Sequence, residues 1–150
     1  MTIIDYHTLD SGKWDAYVYN HTKGTIFQTT AYLTCHSRKY KCESFGFAAV
    51  ENDQIVGLIA GVISYNYFFP VNALTRRAII EGGPIADDRQ IEEQLIVAVA
   101  DYTKRRAIYT QYRNLWDMNS IRPAMGKLGF QYEPHLDILH NLMIETEALI

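Results

Sequence analysis

The sequence predicts an α/β (α+β) protein with a mixed, mostly antiparallel sheet and helices on both of its faces. Three consecutive segments in the middle of the chain have the apolar character of strands, and the first two are separated only by a tight turn, which favours antiparallel pairing. A strand–helix–strand unit follows, and such a crossover favours a parallel pair. The 150 residues suffice for one domain with a sizeable core, and no linker, repeat or low-complexity tract divides them.

The first half of the chain predicts a short strand, two helices and two long strands. Ser11 is a suitable cap for the first helix, whose apolar residues recur at helical spacing. The dipeptide Asn52-Asp53 predicts a tight turn between the two long strands. The predicted elements are a strand at residues 3–6, helices at about 11–21 and 29–38, and strands at 44–51 and 54–65.

The second half predicts a third long strand and then alternating helices and strands. An apolar stripe from Ile91 to Tyr102 marks the longest helix. Gly129 is a natural end for the last helix, and Pro123 indicates either a distortion or a late start of it. The predicted elements are a loop at 67–72, a strand at 74–80, a helix at 88–106, a strand at 107–112, a helix at 118–128, and strands at 130–133 and 136–142.

Composition and charge exclude several classes of protein. The net charge of −3 argues against nucleic acid or an anionic membrane as the main partner, because both require a concentrated basic face. No apolar run reaches the ~20 residues of a membrane span, and the first residues lack the basic and apolar regions of a signal peptide. Two cysteines, Cys35 and Cys42, do not form a disulfide framework, so reduced thiols and a cytoplasmic location are expected.

The stretch EGGPIADDR, residues 81–89, joins the third long strand to the longest helix. A glycine-containing turn before a helix often holds phosphate, because the N–H groups of the first helical turn point at an anion. Here Asp87 and Asp88 carry the opposite charge and can cap those N–H groups themselves. The position therefore suits a cofactor loop, whereas its charge does not suit phosphate.

Four short motifs carry a resemblance to a known family over about 115 residues. They are FQTTAYL at residues 27–33, ENDQIVGLIAGV at 51–62, GGPI at 82–85 and LGFQYEPHLDILHNL at 128–142. Together with the order of elements, they make the chain similar to the GCN5-related acyltransferase fold, the fold of the N-acetyltransferases. More specifically, the chain resembles the amino-terminal half of a FemAB-type protein, the peptidoglycan bridge-forming aminoacyltransferases and their relatives.

The resemblance implies transfer of an activated acyl group to an amine, and two departures qualify it. Acetyl-CoA-binding members carry Arg/Gln-x-x-Gly-x-Gly/Ala where this chain has GGPIADD, so acetyl-CoA is disfavoured as a cofactor. FemAB-type proteins pair two such domains, and this chain has about half the expected length. The resemblance thus implies a peptidoglycan-precursor or small-molecule substrate, a second similar domain or a homodimer, and no nucleic acid other than aminoacyl-tRNA.

Two acidic residues are candidates for the base that accepts the proton of the attacking amine. Asp87 could serve as such a base or hold an amine, although helix capping also explains it. Glu81 ends the third long strand and could face a cleft, or it could be an exposed edge charge.

Five further residues are candidates for substrate binding. His36 and Arg38 lie on the second helix, which in FemAB-type relatives helps to wall the acceptor site. Tyr109 and Gln111 share one side of a strand and could line a groove, or pack in the core. Tyr67 belongs to an aromatic loop that could close over a ligand or pack on a hairpin.

Two other constellations do not support chemistry. In a strand, His135 and Asp137 share one face while His140 faces the other, which argues against a metal site. Cys35 and His36 are adjacent in sequence, and adjacency does not orient a base toward a thiolate.

The sequence predicts an acyl- or aminoacyltransferase-type domain that acts on or binds an amine-bearing cell-wall precursor. Two alternatives stay open: a catalytically silent domain of the same fold that binds a ligand or partner, and a small-molecule N-acetyltransferase with a divergent cofactor loop.

Overall fold

The computed structural model describes residues 1–39, 42–65 and 74–134, without the side chain of residue 39. One mixed sheet organises this part of the chain, with helices packed on it. The strands are β1 (Thr2–Asp5), β2 (Cys42–Glu51), β3 (Gln54–Ser64), β4 (Arg77–Glu81), β5 (Ile85–Ala86) and β6 (Tyr109–Arg113), and the helices are α1 (Ser11–Asn20), α2 (Thr30–Lys39), α3 (Arg89–Thr103) and α4 (Arg122–Lys127).

The strands are ordered β1-β2-β3-β4-β6, and the two-residue β5 pairs with β3 beyond the end of β4. The pairs from β1 to β4 are antiparallel, and β4 pairs with β6 in parallel across the α3 crossover. At the β2–β3 turn, Asn52 and Asp53 have φ of 48° and 62°, as a two-residue hairpin of right-handed twist requires. The predicted fold class is confirmed.

Alternate residues along the strands pack against different helices. Leu58 of β3 belongs to the cluster that includes Trp14 of α1 and Leu33 of α2. Its neighbour Ile59 belongs to the cluster that includes Leu95 of α3. Because side chains alternate across a strand, α1 and α2 cover one face of the sheet and α3 covers the other.

Helix ends differ from the prediction where a side chain competes for the terminal N–H groups. Asp10, not Ser11, caps α1, and its carboxylate accepts a hydrogen bond from the N–H of Lys13. Helix α4 starts late, at Arg122, with Pro123 in its first turn, where the missing N–H of proline costs nothing.

The predicted strand at residues 130–133 is wrong. Gly129 has φ of +86° and ends α4, and the chain then continues without strand pairing to residue 134. The ring of Phe130 packs edge-on against Tyr112 of β6, with ring centroids 5.3 Å apart. This apolar residue therefore contributes to packing after the end of α4 and not to a strand. The predicted strand at 136–142 and the predicted loop at 67–72 lie outside the described residues, while β4 begins at Arg77 and β6 at Tyr109, later than predicted.

Candidate functional site

The backbone turns sharply after β4 at Gly82 and Gly83, which have φ of +86° and +67°. Residues other than glycine rarely adopt this left-handed backbone conformation, because their Cβ would approach the following carbonyl oxygen too closely. At Gly82 a Cβ would also lie 2.5 Å from the side-chain nitrogen of Gln28. Glycine is therefore required at position 82 by both conformation and space, and the turn places Glu81 at its edge.

Gln28 is fully buried and held from several sides. Its Oε1 accepts hydrogen bonds from the N–H and the hydroxyl of Thr25, at 2.9 and 2.6 Å. Its backbone carbonyl accepts a 2.7 Å hydrogen bond from the indole N–H of Trp14. The segments FQTTAYL and GGPI, far apart in sequence, thus meet at one rigid contact between Gln28 and Gly82.

A groove of about 200 Å³ lies beside this turn, between α2 and the sheet face that α2 covers. Arg77, Ile79 and Glu81 line it from β4, because residues two apart in a strand share a face. Arg113 of β6 pairs in register with Glu81 and therefore lines the same groove. Tyr32 and His36 contribute from α2 at helical spacing.

The carboxylate of Glu81 is the centre of the hydrogen-bonded network in this groove. Its Oε2 accepts a 2.9 Å hydrogen bond from the hydroxyl of Tyr32, and its Oε1 lies 3.1 Å from Nη1 of Arg113. The side chain of Glu81 is 26% exposed, so it remains reachable from solvent. Burial, followed by the hydrogen bond to Glu81 and its charge, raises the pKa of Tyr32 from 10 to about 12. Tyr32 is therefore a protonated donor at neutral pH.

Two more basic groups border this network. The ring of His36 lies against that of Tyr32, with centroids 5.3 Å apart. Arg77 also lines the groove. The two guanidinium groups of Arg77 and Arg113 and the one carboxylate of Glu81 leave the groove with an excess of positive charge.

The groove brings together two of the predicted site residues, Glu81 and His36. Arg38 lies instead on the outer side of α2, in a larger depression of about 490 Å³ that is open to solvent and has no carboxylate among its described lining residues. Tyr109 and Gln111 share a sheet face with Arg113, as predicted, but neither lines the groove.

Two other predicted residues lie elsewhere. Asp87 is at the start of α3, almost fully exposed, with its Oδ1 3.5 Å from the buried imidazole of His21. Tyr67 lies outside the described residues.

Three residues that line the groove were not predicted from the sequence: Tyr32, Arg77 and Arg113. A signal for two of them was present. Arg113 continues the i, i+2 series of Tyr109 and Gln111, and Arg77 shares its strand face with Glu81. Tyr32 is four residues before His36 and shares its side of α2, but only tertiary packing brings that side over the end of β4.

The start of α3 is occupied by the protein's own acidic side chains. Asp88 caps the helix, and its Oδ1 accepts a 2.6 Å hydrogen bond from the N–H of Gln90. Glu92, in the first turn, is buried and forms a 3.2 Å ion pair with Lys23 from the loop after α1. Capping thus explains Asp88, and these carboxylates sit where a helix would otherwise attract an anion.

Within residues 1–39, 42–65 and 74–134, no three His, Cys, Asp or Glu side chains cluster as metal ligands would. His135, Asp137 and His140 lie outside these ranges. None of the helices described is both long enough and apolar enough to cross a membrane.

Comparison with known proteins shows the fold. No protein-family model matches the chain, and no curated protein matches it. Among solved structures it is similar to FemX, with a TM-score of 0.65 and 14% identity over 86% of this chain and 31% of FemX. It is also similar to aminoglycoside N-acetyltransferase AAC(6')-Iy in complex with CoA, with a TM-score of 0.61 and 16% identity over 94% of each chain. A ribosomal-protein-alanine N-acetyltransferase from Brucella melitensis biovar Abortus 2308 gives a TM-score of 0.62 and 12% identity over 93% of this chain and 99% of that one. The fold is therefore that of the N-acetyltransferases.

Coenzyme A, which this fold holds in AAC(6')-Iy, does not suit the residues of this chain. Asp87 and Asp88 would repel a diphosphate at the start of α3. Beyond the paired ends of β4 and β6, Trp116 and Met118 pack against the glycine turn, each within 3.3 Å of where a glycine Cβ would lie. Charge and packing both oppose a diphosphate-linked cofactor at this position.

Proposed function

We propose that this chain is an acyl- or aminoacyltransferase-type domain of the FemAB-like group, which binds an amine-bearing acceptor in the groove beside Glu81. The observation that carries the proposal is the geometry of Glu81 itself. It ends β4, an interior strand, beside the glycine turn, and Tyr32 and Arg113 hold its carboxylate in one orientation. A fixed, accessible carboxylate is what an amine acceptor requires, both to hold its ammonium form and to accept a proton.

The network around Glu81 leaves room for an acceptor amine. A carboxylate has about four acceptor positions, and the two hydrogen bonds from Tyr32 and Arg113 leave others available. Because the pKa of Tyr32 is about 12, its hydroxyl donates to Glu81 and does not compete for the proton of the amine. In this proposal the bound ammonium first loses one proton to solvent, and its neutral nitrogen then attacks the carbonyl carbon of the ester donor. Glu81 accepts the second proton as the C–N bond forms, and it passes that proton to the departing alcohol oxygen as the ester C–O bond breaks. Tyr32 and Arg113 position Glu81 for both transfers.

The small size of the groove favours an acceptor of which only one end enters. Its volume of about 200 Å³ is below the ~300–1,000 Å³ that enclose drug-sized ligands. An aminoalkyl side chain fits such a space, and the rest of a larger molecule would remain outside. A cell-wall precursor with a pendant amine has this shape.

Similarity to FemX is what supports a FemAB-like assignment, at 14% identity. The chain spans 31% of FemX, so a second similar domain, supplied by the same protein or by a partner, belongs to the proposal. Since the acidic start of α3 opposes coenzyme A, the acyl donor in this proposal is an activated ester such as an aminoacyl-tRNA. The cytoplasmic location, the homodimer and the catalytically silent alternative stay predictions.

A second candidate function is small-molecule N-acetylation with acetyl-CoA. It is favoured by the match to AAC(6')-Iy, which was solved with CoA and covers 94% of each chain. The acidic residues at the start of α3 weigh against it.

Calorimetric titration separates the two candidates. The first ligand is Nα-acetyl-L-lysinamide, which presents a single side-chain amine, and the second is acetyl-CoA. We expect the lysinamide to bind and acetyl-CoA to give no heat at micromolar concentrations. Micromolar binding of acetyl-CoA would support the second candidate instead, and absence of lysinamide binding would overturn the proposed amine site.

A further inference from the structure

Arg77 is the charged side chain of the groove that the Glu81 network does not use. Arg113 pairs with Glu81, whereas within the described residues the guanidinium of Arg77 makes no hydrogen bond or ion pair. Arg77 is half-buried at the opposite end of β4 from Glu81, on the same strand face. An arginine in a groove without an acidic partner is a suitable binding group for an anion, because its planar fork matches a carboxylate with two parallel hydrogen bonds.

The spacing along β4 limits what could contact both ends. Arg77 and Glu81 are four residues apart in a strand, so their Cα atoms lie about 13 Å from each other. The long side chain of Arg77 can shorten the gap between the charged groups but does not close it. A molecule with its amine and carboxylate on one carbon atom therefore cannot reach both, whereas one with several bonds between them can.

We propose that the groove recognises its acceptor at two points: the amine at Glu81 and a carboxylate, several bonds away, at Arg77. The inference rests on the proposed function, since it assigns the amine to Glu81. It names the substrate class as an ω-amino acid, free or as the end of a peptide. The net positive charge of the groove supports it, because an acceptor carrying only an ammonium group would leave Arg77 unneutralised.

Three matched ligands test the inference by nuclear magnetic resonance titration of the wild-type chain. Nα-acetyl-L-lysine carries both groups, Nα-acetyl-L-lysinamide lacks only the carboxylate, and Nα-acetyl-L-norleucine lacks only the amine. We expect acetyl-lysine to bind about tenfold more tightly than the lysinamide, as one charge-assisted bidentate pair allows.

Substitutions at Arg77 assign that difference to one side chain. Arg77→Gln is expected to bring acetyl-lysine and the lysinamide to equal affinity, and Arg77→Lys to restore part of the difference, since it keeps the charge without the fork. Arg105→Gln is the matched control, because Arg105 is exposed and follows α3, which covers the face of the sheet opposite the groove.

The outcomes separate this inference from the function on which it rests. Equal affinity of acetyl-lysine and the lysinamide for the wild-type chain would overturn the role of Arg77 and leave the amine site intact. Binding of acetyl-norleucine without binding of the lysinamide would overturn the amine end, and with it the proposed function. A tenfold preference that survives Arg77→Gln would place the carboxylate elsewhere and overturn the inference.

Discussion

Two tyrosine–glutamate pairs link a helix to the sheet, one on each face. On the α2 face, Tyr32 donates to Glu81 at 2.9 Å, and on the α3 face, Tyr102 donates to Glu43 at 3.0 Å. In both, burial is the first cause that raises the pKa of the tyrosine to about 12, and the hydrogen bond to the carboxylate is the second.

The two tyrosine–glutamate pairs differ in their surroundings. Glu81 ends its strand beside the glycine turn, inside a groove, and its other oxygen contacts Arg113. Glu43 lies near the start of β2 on the exposed surface, and the nearby Arg106 stacks on the ring of Tyr102 at 4.0 Å instead of pairing with the carboxylate. A hydrogen-bonded tyrosine–glutamate pair therefore does not by itself make a binding site. A concave surface and a converging second charge are what make Glu81 a candidate.

The largest expected effect concerns the turn behind Glu81, which has no counterpart behind Glu43. Gly82→Ala places a Cβ 2.5 Å from Gln28 in a backbone with φ of +86°. We expect the free energy of unfolding to fall by about 3 kcal/mol, from left-handed strain and overpacking together. Denaturant unfolding measures it through the midpoint at unchanged slope.

Gly126→Ala is the control for this substitution. A Cβ at Gly126, in α4, would meet nothing within 4 Å, and alanine favours a helix by up to about 1 kcal/mol. An unchanged or raised stability is expected there. If Gly82→Ala were equally harmless, the turn would not be the rigid support of Glu81 described above.

The next effect compares the two carboxylates directly. Glu81→Gln removes the charge that holds the acceptor ammonium, so affinity for Nα-acetyl-L-lysinamide should fall at least about tenfold. Glu43→Gln removes the equivalent charge on the opposite face and should leave that affinity unchanged. Calorimetry on both variants provides the comparison, and equal losses would mean that the groove geometry does not select the site.

The smallest effect is at alkaline pH. Folding raises the pKa of Tyr32 and Tyr102 from 10 to about 12, so the folded chain holds their protons more firmly than the unfolded chain. The stability linked to this shift is complete below pH 10 and is lost as the pH rises through 12. Unfolding experiments across that interval should show the decline, and pH-independent stability there would contradict it.

The same titration distinguishes the pairs. Glu81→Gln should lower the pKa of Tyr32 only, and Glu43→Gln that of Tyr102 only, because each removes one neighbouring charge. Since burial is the larger cause, part of each shift should remain. Because the chain has 11 tyrosines, ring resonances assigned by nuclear magnetic resonance are needed to follow Tyr32 and Tyr102 separately.

Local patterns predicted most of the fold because they reflect short-range physics. The apolar runs of β2 and β3, the Asn52-Asp53 turn and the apolar stripe of α3 each depend on neighbours within a few residues. The prediction was wrong at residues 130–133, where Phe130 packs against Tyr112. The apolar character of Phe130 alone does not distinguish a paired strand from a residue packed under a helix.

The site was only partly predictable for the same reason. Glu81 could be named from its place at a strand end, and His36 from its helix. Arg38, on the same helix as His36, lies on the other side of it, because the rotation of a helix about its axis is set by what it packs against.

The sequence by itself determined the fold class, the hairpin turn at Asn52-Asp53 and the amphipathic helix α3, since these follow from periodicity and from the backbone preferences of short turns. Only the tertiary structure brought Tyr32 and Arg113 to Glu81, across 49 and 32 residues of chain. Strand register and helix docking decide such distances, and both depend on the packing of the whole core rather than on any local segment.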